Sequence, residues 1–146
     1  MTDSISLARD EVDEFLGDGG TGVLALADEN ESYAIPVSYG YDPTGPHLYV
    51  RLGYAPESEK RDFVERTETA SLVVDRDTPD GWTSVVGRGR LEEVTEVSLD
   101  STIARAIRRV NIPFVTIYDR PARELEFQLY RLVPEELTGR RERQSE

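Results

Sequence analysis

The sequence has 146 residues, 38% of them hydrophobic, no cysteine, and a formal net charge of −12 from 29 acids against 17 bases. That length suits a single domain with one core, and the lack of cysteine excludes disulfides, thiolate metal sites and cysteine nucleophiles. A nucleic-acid partner is disfavoured, because phosphate backbones require a basic stripe, and no apolar run reaches the ~20 residues that span a bilayer. Sixteen of the bases are arginine, and Lys60 is the one lysine. Acid-rich, lysine-poor composition is the pattern expected of a halophilic protein, in which counterions screen self-repulsion; an ordinary acidic protein is the alternative. The N-terminus MTDSISLARDEVDEF has neither the basic region nor the apolar stretch of a secretory signal, so a cytoplasmic location is expected.

Residues 1–19 are expected to hold an N-terminal helix, Leu7 to Leu16, capped by Ser6 and apolar along Leu7, Val12, Phe15 and Leu16. TGVLALAD (Thr21 to Asp28) reads as a buried strand, Glu29-Asn30-Glu31 as a turn, and SYAIPVSYGY (Ser32 to Tyr41) as the returning strand. After the turn Asp42-Pro43-Thr44-Gly45-Pro46, HLYVRLG (His47 to Gly53) forms a third strand, completing a meander. Pro56 to Arg66 suits a short helix with Phe63 as its apolar anchor. Thr69 to Asp75 is a fourth strand. Trp82 to Val94 is a long fifth one, in which Gly87 and Gly89 signal a bulge or a close approach. Val97 to Val110 reads as a helix, Asn111 to Arg123 fits strand or helix equally, and Leu125 to Val133 alternates as a final strand. The charged tail from Thr138 (138–146) is expected to fray. With no repeats and no linker, the chain is expected to be one mainly β domain, a six-stranded antiparallel barrel with flanking helices.

Four segments in this order resemble the pyridoxamine 5′-phosphate oxidase-like split-barrel flavoproteins: GVLALAD followed by YAIPVSYGYD, then LYVR, then Ser58-Glu59-Lys60 as an S-x-K, then WTSVVGRGRLEEV. Together they cover residues 20 to 95. The resemblance implies an FMN-binding split barrel, a homodimer with the cofactor at the subunit interface, and flavin-dependent oxidoreductase activity on an unknown small-molecule substrate.

It also implies the cofactor-binding residues. Pro36, Val37, Ser38 and Tyr39 match the segment along the flavin, and Tyr49, Val50 and Arg51 match the third strand. Ser58 and Lys60 match the phosphate site, and Trp82, Ser84 and Val85 match the strand that the partner subunit contributes. The chemistry agrees with that assignment. A dianionic phosphate calls for cations, hydroxyls and a helix N-terminus, which Arg51, Ser58 and Lys60 supply together. Plainer readings stand beside these. Lys60 could pair with Glu57 or Glu59 at the surface, Tyr49 and Trp82 could be core or interface aromatics, and Ser38 and Tyr39 could follow ordinary strand alternation. Pyridoxamine oxidases carry an arginine and a lysine where this chain has Ala34 and Tyr39, which argues against true pyridoxamine-phosphate oxidase activity.

Other sites find little support. One histidine, His47, rules out a catalytic triad or a multi-histidine metal centre, and it reads as an exposed turn residue. Gly17 to Gly22 lacks the lysine of a P-loop, and the acids form no spaced calcium loop. Arg105, Arg108 and Arg109 have Glu92, Glu93 and Glu96 as expected partners. The alternatives for function are a deazaflavin (F420) reductase and a non-enzymatic flavin- or haem-binding module. No catalytic acid or base is identifiable.

Overall fold

A computed structural model describes residues 2–54, 59–94 and 126–144. Ser58, the expected helix 97–110 and the ambiguous stretch 111–123 lie outside the described residues. Seven strands and two helices follow in the order β1 (Thr2–Ser6), α1 (Arg9–Leu16), β2 (Gly19–Asp28), β3 (Glu31–Asp42), β4 (His47–Tyr54), α2 (Glu59–Arg66), β5 (Ala70–Thr78), β6 (Gly81–Glu93) and β7 (Glu126–Gln144). All pairings are antiparallel. Neighbouring strands run β7-β4-β3-β2-β5-β6, and β6 pairs back onto β7, so six strands close a barrel. The seventh, β1, adds to the far part of β7, Ser6 opposite Arg140 and Thr2 opposite Gln144.

The barrel is stitched unevenly. β2 and β3 pair along ten positions, whereas β3 meets β4 only from Tyr39–Asp42 to His47–Val50, and β2 meets β5 only at Val23 to Ala25. Inward positions alternate as a closed sheet requires: Leu24 and Leu26, Val37 and Tyr39, Leu48, Val50, Leu52 and Tyr54, Leu72 and Val74, Val85, Tyr130 and Leu132 form one core. Val12, Phe15 and Leu16 of α1 join it, and the Tyr39 hydroxyl donates to Leu16 O at 2.9 Å. Val64 of α2 also enters the core, Phe63 packs its ring on Tyr33 at 5.1 Å, and Ala27 N–H donates to Thr67 Oγ1.

Three expectations need correction. Residues 1–19 begin with a strand, and α1 is capped at Ala8, not Ser6: Ser6 is spent in the β1 ladder, while Glu11 Oε1 accepts the Ala8 N–H at 3.0 Å. The tail does not fray at Thr138, because its main chain pairs with β6 on one side and β1 on the other. The expected six-stranded barrel is present, and β1 is a seventh strand among the described residues, added outside the ring on β7. The glycine pair in β6 does mark a close approach. The ladder shifts register between Arg88 and Gly89, and a Cβ on Gly89 would sit 1.9 Å from Val133 O.

Candidate functional site

The alternation of β4 turns Leu48, Val50, Leu52 and Tyr54 into the barrel and sets Tyr49 and Arg51 on the opposite face. Tyr49 is 1% exposed yet lies outside the core cluster, with His47 edge-on to its ring at 6.4 Å. The Arg51 guanidinium stands 4.1 Å above the Phe127 ring of β7. At the end of the strand the chain turns into α2, and Lys60 Nζ donates to Gly53 O at 2.8 Å. Lys60 is 7% exposed, so the surface-lysine reading is set aside. Lys60 and Arg61 of α2 thus lie against the end of β4, with the Arg61 guanidinium 4.6 Å above the Tyr54 ring, and Arg51 stands three residues before Tyr54 on that strand.

Beside this junction lies a cavity of about 340 Å³ lined by Tyr54, Arg61, Glu65, Glu93, Phe127, Gln128 and Tyr130. The hydroxyls of Tyr54 and Tyr130 share a hydrogen bond of 2.6 Å, with their rings nearly perpendicular. Burial raises both phenol pKa values; the bond to Tyr130 adds to the effect for Tyr54, whereas for Tyr130 the same bond works against it. Both groups are therefore neutral across the physiological range. None of the seven lining residues was singled out from sequence. Tyr54 and Tyr130 are 76 positions apart, and Tyr54 lies one residue past the end of the expected third strand.

The remaining candidates divide by face. Val37, Tyr39, Val50 and Val85 are 4%, 0%, 0% and 1% exposed, with their side chains in the core. A ligand can meet these four positions only through the main chain. Pro36 and Ser38 occupy the outer face of β3, and Trp82 and Ser84 the outer face of β6. Pro36 lies opposite Val23, Val23 opposite Val73, and Val73 opposite Val86, so an uncharged row crosses four strands on the outside of the barrel. Val23 is 43% and Trp82 50% exposed.

Arg51 is opposite Leu129 and Ser84 opposite Arg140, eleven residues further along β7. Other expectations also shift. His47 is half-buried, and its pKa is lowered first by burial and then by Arg131. Glu92 is paired with Arg90 and Arg131. Among the described residues no group of three or more acidic or histidine side chains could hold a metal, and no helix is long and apolar enough to cross a membrane.

A closed antiparallel barrel of this connectivity, with a basic strand-to-helix junction, is the FMN-binding split-barrel class. The family profile described as pyridoxamine 5′-phosphate oxidase matches residues 8–141, and the chain belongs to that family. No curated protein matches the sequence. Among solved structures it is similar to an FAD-binding protein of Mesorhizobium loti, at 21% identity and a TM-score of 0.68 over 99% of this chain and 100% of that one. It is also similar to the FAD binding protein of Mycobacterium smegmatis (19%, TM-score 0.66, 97% and 100%). A heme binding protein of the same organism matches at 18% and a TM-score of 0.64, over 90% of this chain and 52% of that one. At these identities the likeness is one of fold.

Proposed function

We propose that the chain is a homodimeric flavoprotein that binds FMN and acts as an oxidoreductase on a small molecule. The observation that carries this reading is the junction of β4 and α2, where Lys60 and Arg61 stand against the end of a strand that carries Arg51, in a chain of net charge −12. The phosphate is held there, with Ser58 as the hydroxyl donor. The flavin lies along the outer face of β3 at Pro36 and Ser38 and the main chain of Val37 and Tyr39, next to Tyr49 and Val50 of β4. Trp82, Ser84 and the main chain of Val85 come from the partner subunit. Bound flavin supplies the redox chemistry, and the protein supplies binding, orientation and access.

The dimer rests on the outer row Pro36, Val23, Val73 and Val86 and on the exposure of Val23 and Trp82. An uncharged face on so acidic a protein is where a second copy packs without charge repulsion. The fold neighbours described as FAD-binding support a flavin, and the present residues account for the one phosphate of FMN. The visible spectrum of the purified protein tests the reading. A two-band flavin spectrum supports it, a single deazaflavin band or a haem Soret band overturns it, and chromatography of the released cofactor separates FMN from FAD.

A further inference from the structure

The cavity between β4, α2, β6 and β7 presents an unusual hydrogen-bonding problem. Tyr54 and Tyr130 are 3% and 9% exposed, and their hydroxyls are bonded to each other. Each phenol has one O–H hydrogen. One is used between the pair, and the other is left as a donor on the wall of a cavity that both residues line. A buried donor of this kind requires an acceptor. With both phenol pKa values raised by burial, that hydrogen is present throughout the physiological range.

The other walls select among acceptors. Glu65 and Glu93 are hydrogen-bond acceptors that, among the described residues, are in no ion pair, and both act electrostatically on Tyr130. They repel an anion brought to the hydroxyl pair. A cationic ligand without an acceptor atom leaves the phenol donor unmatched, and Arg61 over the Tyr54 ring offsets part of the carboxylate charge that would draw it in. Gln128 Nε2 is directed to Val94 O and Leu129 O, and the Phe127 ring supplies a flat wall.

We propose that this cavity binds a small neutral ligand of the amide class, which sets a carbonyl-type acceptor on the Tyr54–Tyr130 hydroxyl pair and an N–H donor toward Glu65 or Glu93. A volume of about 340 Å³ falls within the ~300–1,000 Å³ range of small-molecule pockets. No lining residue except Arg61 belongs to the phosphate junction, so the site stands whether or not the flavin reading holds.

Three probes of one shape, benzamide, benzoate and benzamidinium, separate the alternatives when titrated into the full chain by NMR. Benzamide is expected to bind tightest. Tyr54→Phe combined with Tyr130→Phe removes both O–H donors and is expected to weaken it about three- to tenfold, the worth of one hydrogen bond, whereas either single variant keeps one donor and is expected to weaken it less. Circular dichroism checks that the double variant folds, and if it does not, the order of the three probes on the unsubstituted chain carries the test. Tighter binding of benzoate or benzamidinium, binding of none of the three, or benzamide binding indifferent to the folded double variant overturns the proposal. Repeating the titration on Lys60→Ala keeps the two readings apart: benzamide affinity should persist even where FMN affinity is lost.

Discussion

Lys60 Nζ donates to the main-chain oxygen of Gly53 at 2.8 Å, and this bond joins the end of β4 to the first turn of α2. A charged donor on a buried carbonyl contributes about 1.5–3 kcal/mol, so Lys60→Ala should lower unfolding stability by that amount in chemical denaturation. The same change should weaken FMN about 10- to 100-fold, by loss of a charge-assisted phosphate contact, and leave riboflavin, which has no phosphate, largely unaffected. Equal losses for both flavins in calorimetric titration would confine Lys60 to its structural bond.

Gly89 sits where β6 slips its register against β7, with Val133 O 1.9 Å from the position of an added Cβ. Main chain cannot yield as a side chain does. Gly89→Ala should therefore cost at least about 3 kcal/mol. At Gly87 the nearest atom is Leu48 Cδ1 at 3.0 Å, the tip of a side chain, and Gly87→Ala should cost only about 1–2 kcal/mol. Denaturant midpoints of the two variants give the order, and a reversed order would remove the bulge as the reason for Gly89.

The strands β2 to β6 were legible because turn residues bracket them and apolar residues alternate within them. TDSIS and the tail TGRRERQ show no such pattern. Their strand state comes from pairing: Ile5 lies opposite Arg141 and Thr83 opposite the same residue from the other side, so β7 is a central strand there despite its charges. Composition cannot reveal a partner 136 positions away. The candidate site was legible in part for the same reason. Arg51 and Lys60 are nine positions apart and flank one strand-to-helix junction, whereas the Tyr54–Tyr130 pair exists only once β4 and β7 are side by side.

Glu11 accepts the Ala8 N–H and faces Arg141 at 3.3 Å, and these contacts hold its pKa below the usual carboxylate range, the backbone bond first. A depressed folded-state pKa contributes stability above the unfolded value that is lost as pH falls through the folded one. Glu11→Gln should thus melt below the wild type at neutral pH, with the gap closing as pH drops through the lowered pKa. A gap unchanged down to that range would mean that Glu11 acts through packing alone.

At −12 net charge the folded chain repels itself, and the exposed ion pairs Arg9–Asp13 and Arg66–Asp28 offset little of that. Molar KCl shortens the Debye length to about 3 Å and screens the repulsion. The melting temperature should rise from low to molar KCl. A midpoint that stays level or falls would overturn the halophilic reading.

Arg51 and Ser84 pair with β7 at positions eleven residues apart, Leu129 and Arg140, and a flavin shared between two copies can touch both. A two-fold dimer packed on the outer row of Pro36, Val23, Val73 and Val86 gives two equivalent sites, each built from both chains. FMN would then bind the assembled dimer and draw the monomer–dimer equilibrium toward it by mass action. Sedimentation at low protein concentration should show a shift toward dimer when FMN is added. Complementation gives the sharper test. Lys60→Ala disables the phosphate side of a site, and Ser84→Trp obstructs the partner's side, so each homodimer should bind FMN weakly. In a mixed dimer both defects fall on one site and leave the other intact, and up to one FMN per mixed dimer should return. A monomer with full FMN affinity, or mixing that restores no binding, would overturn the shared site.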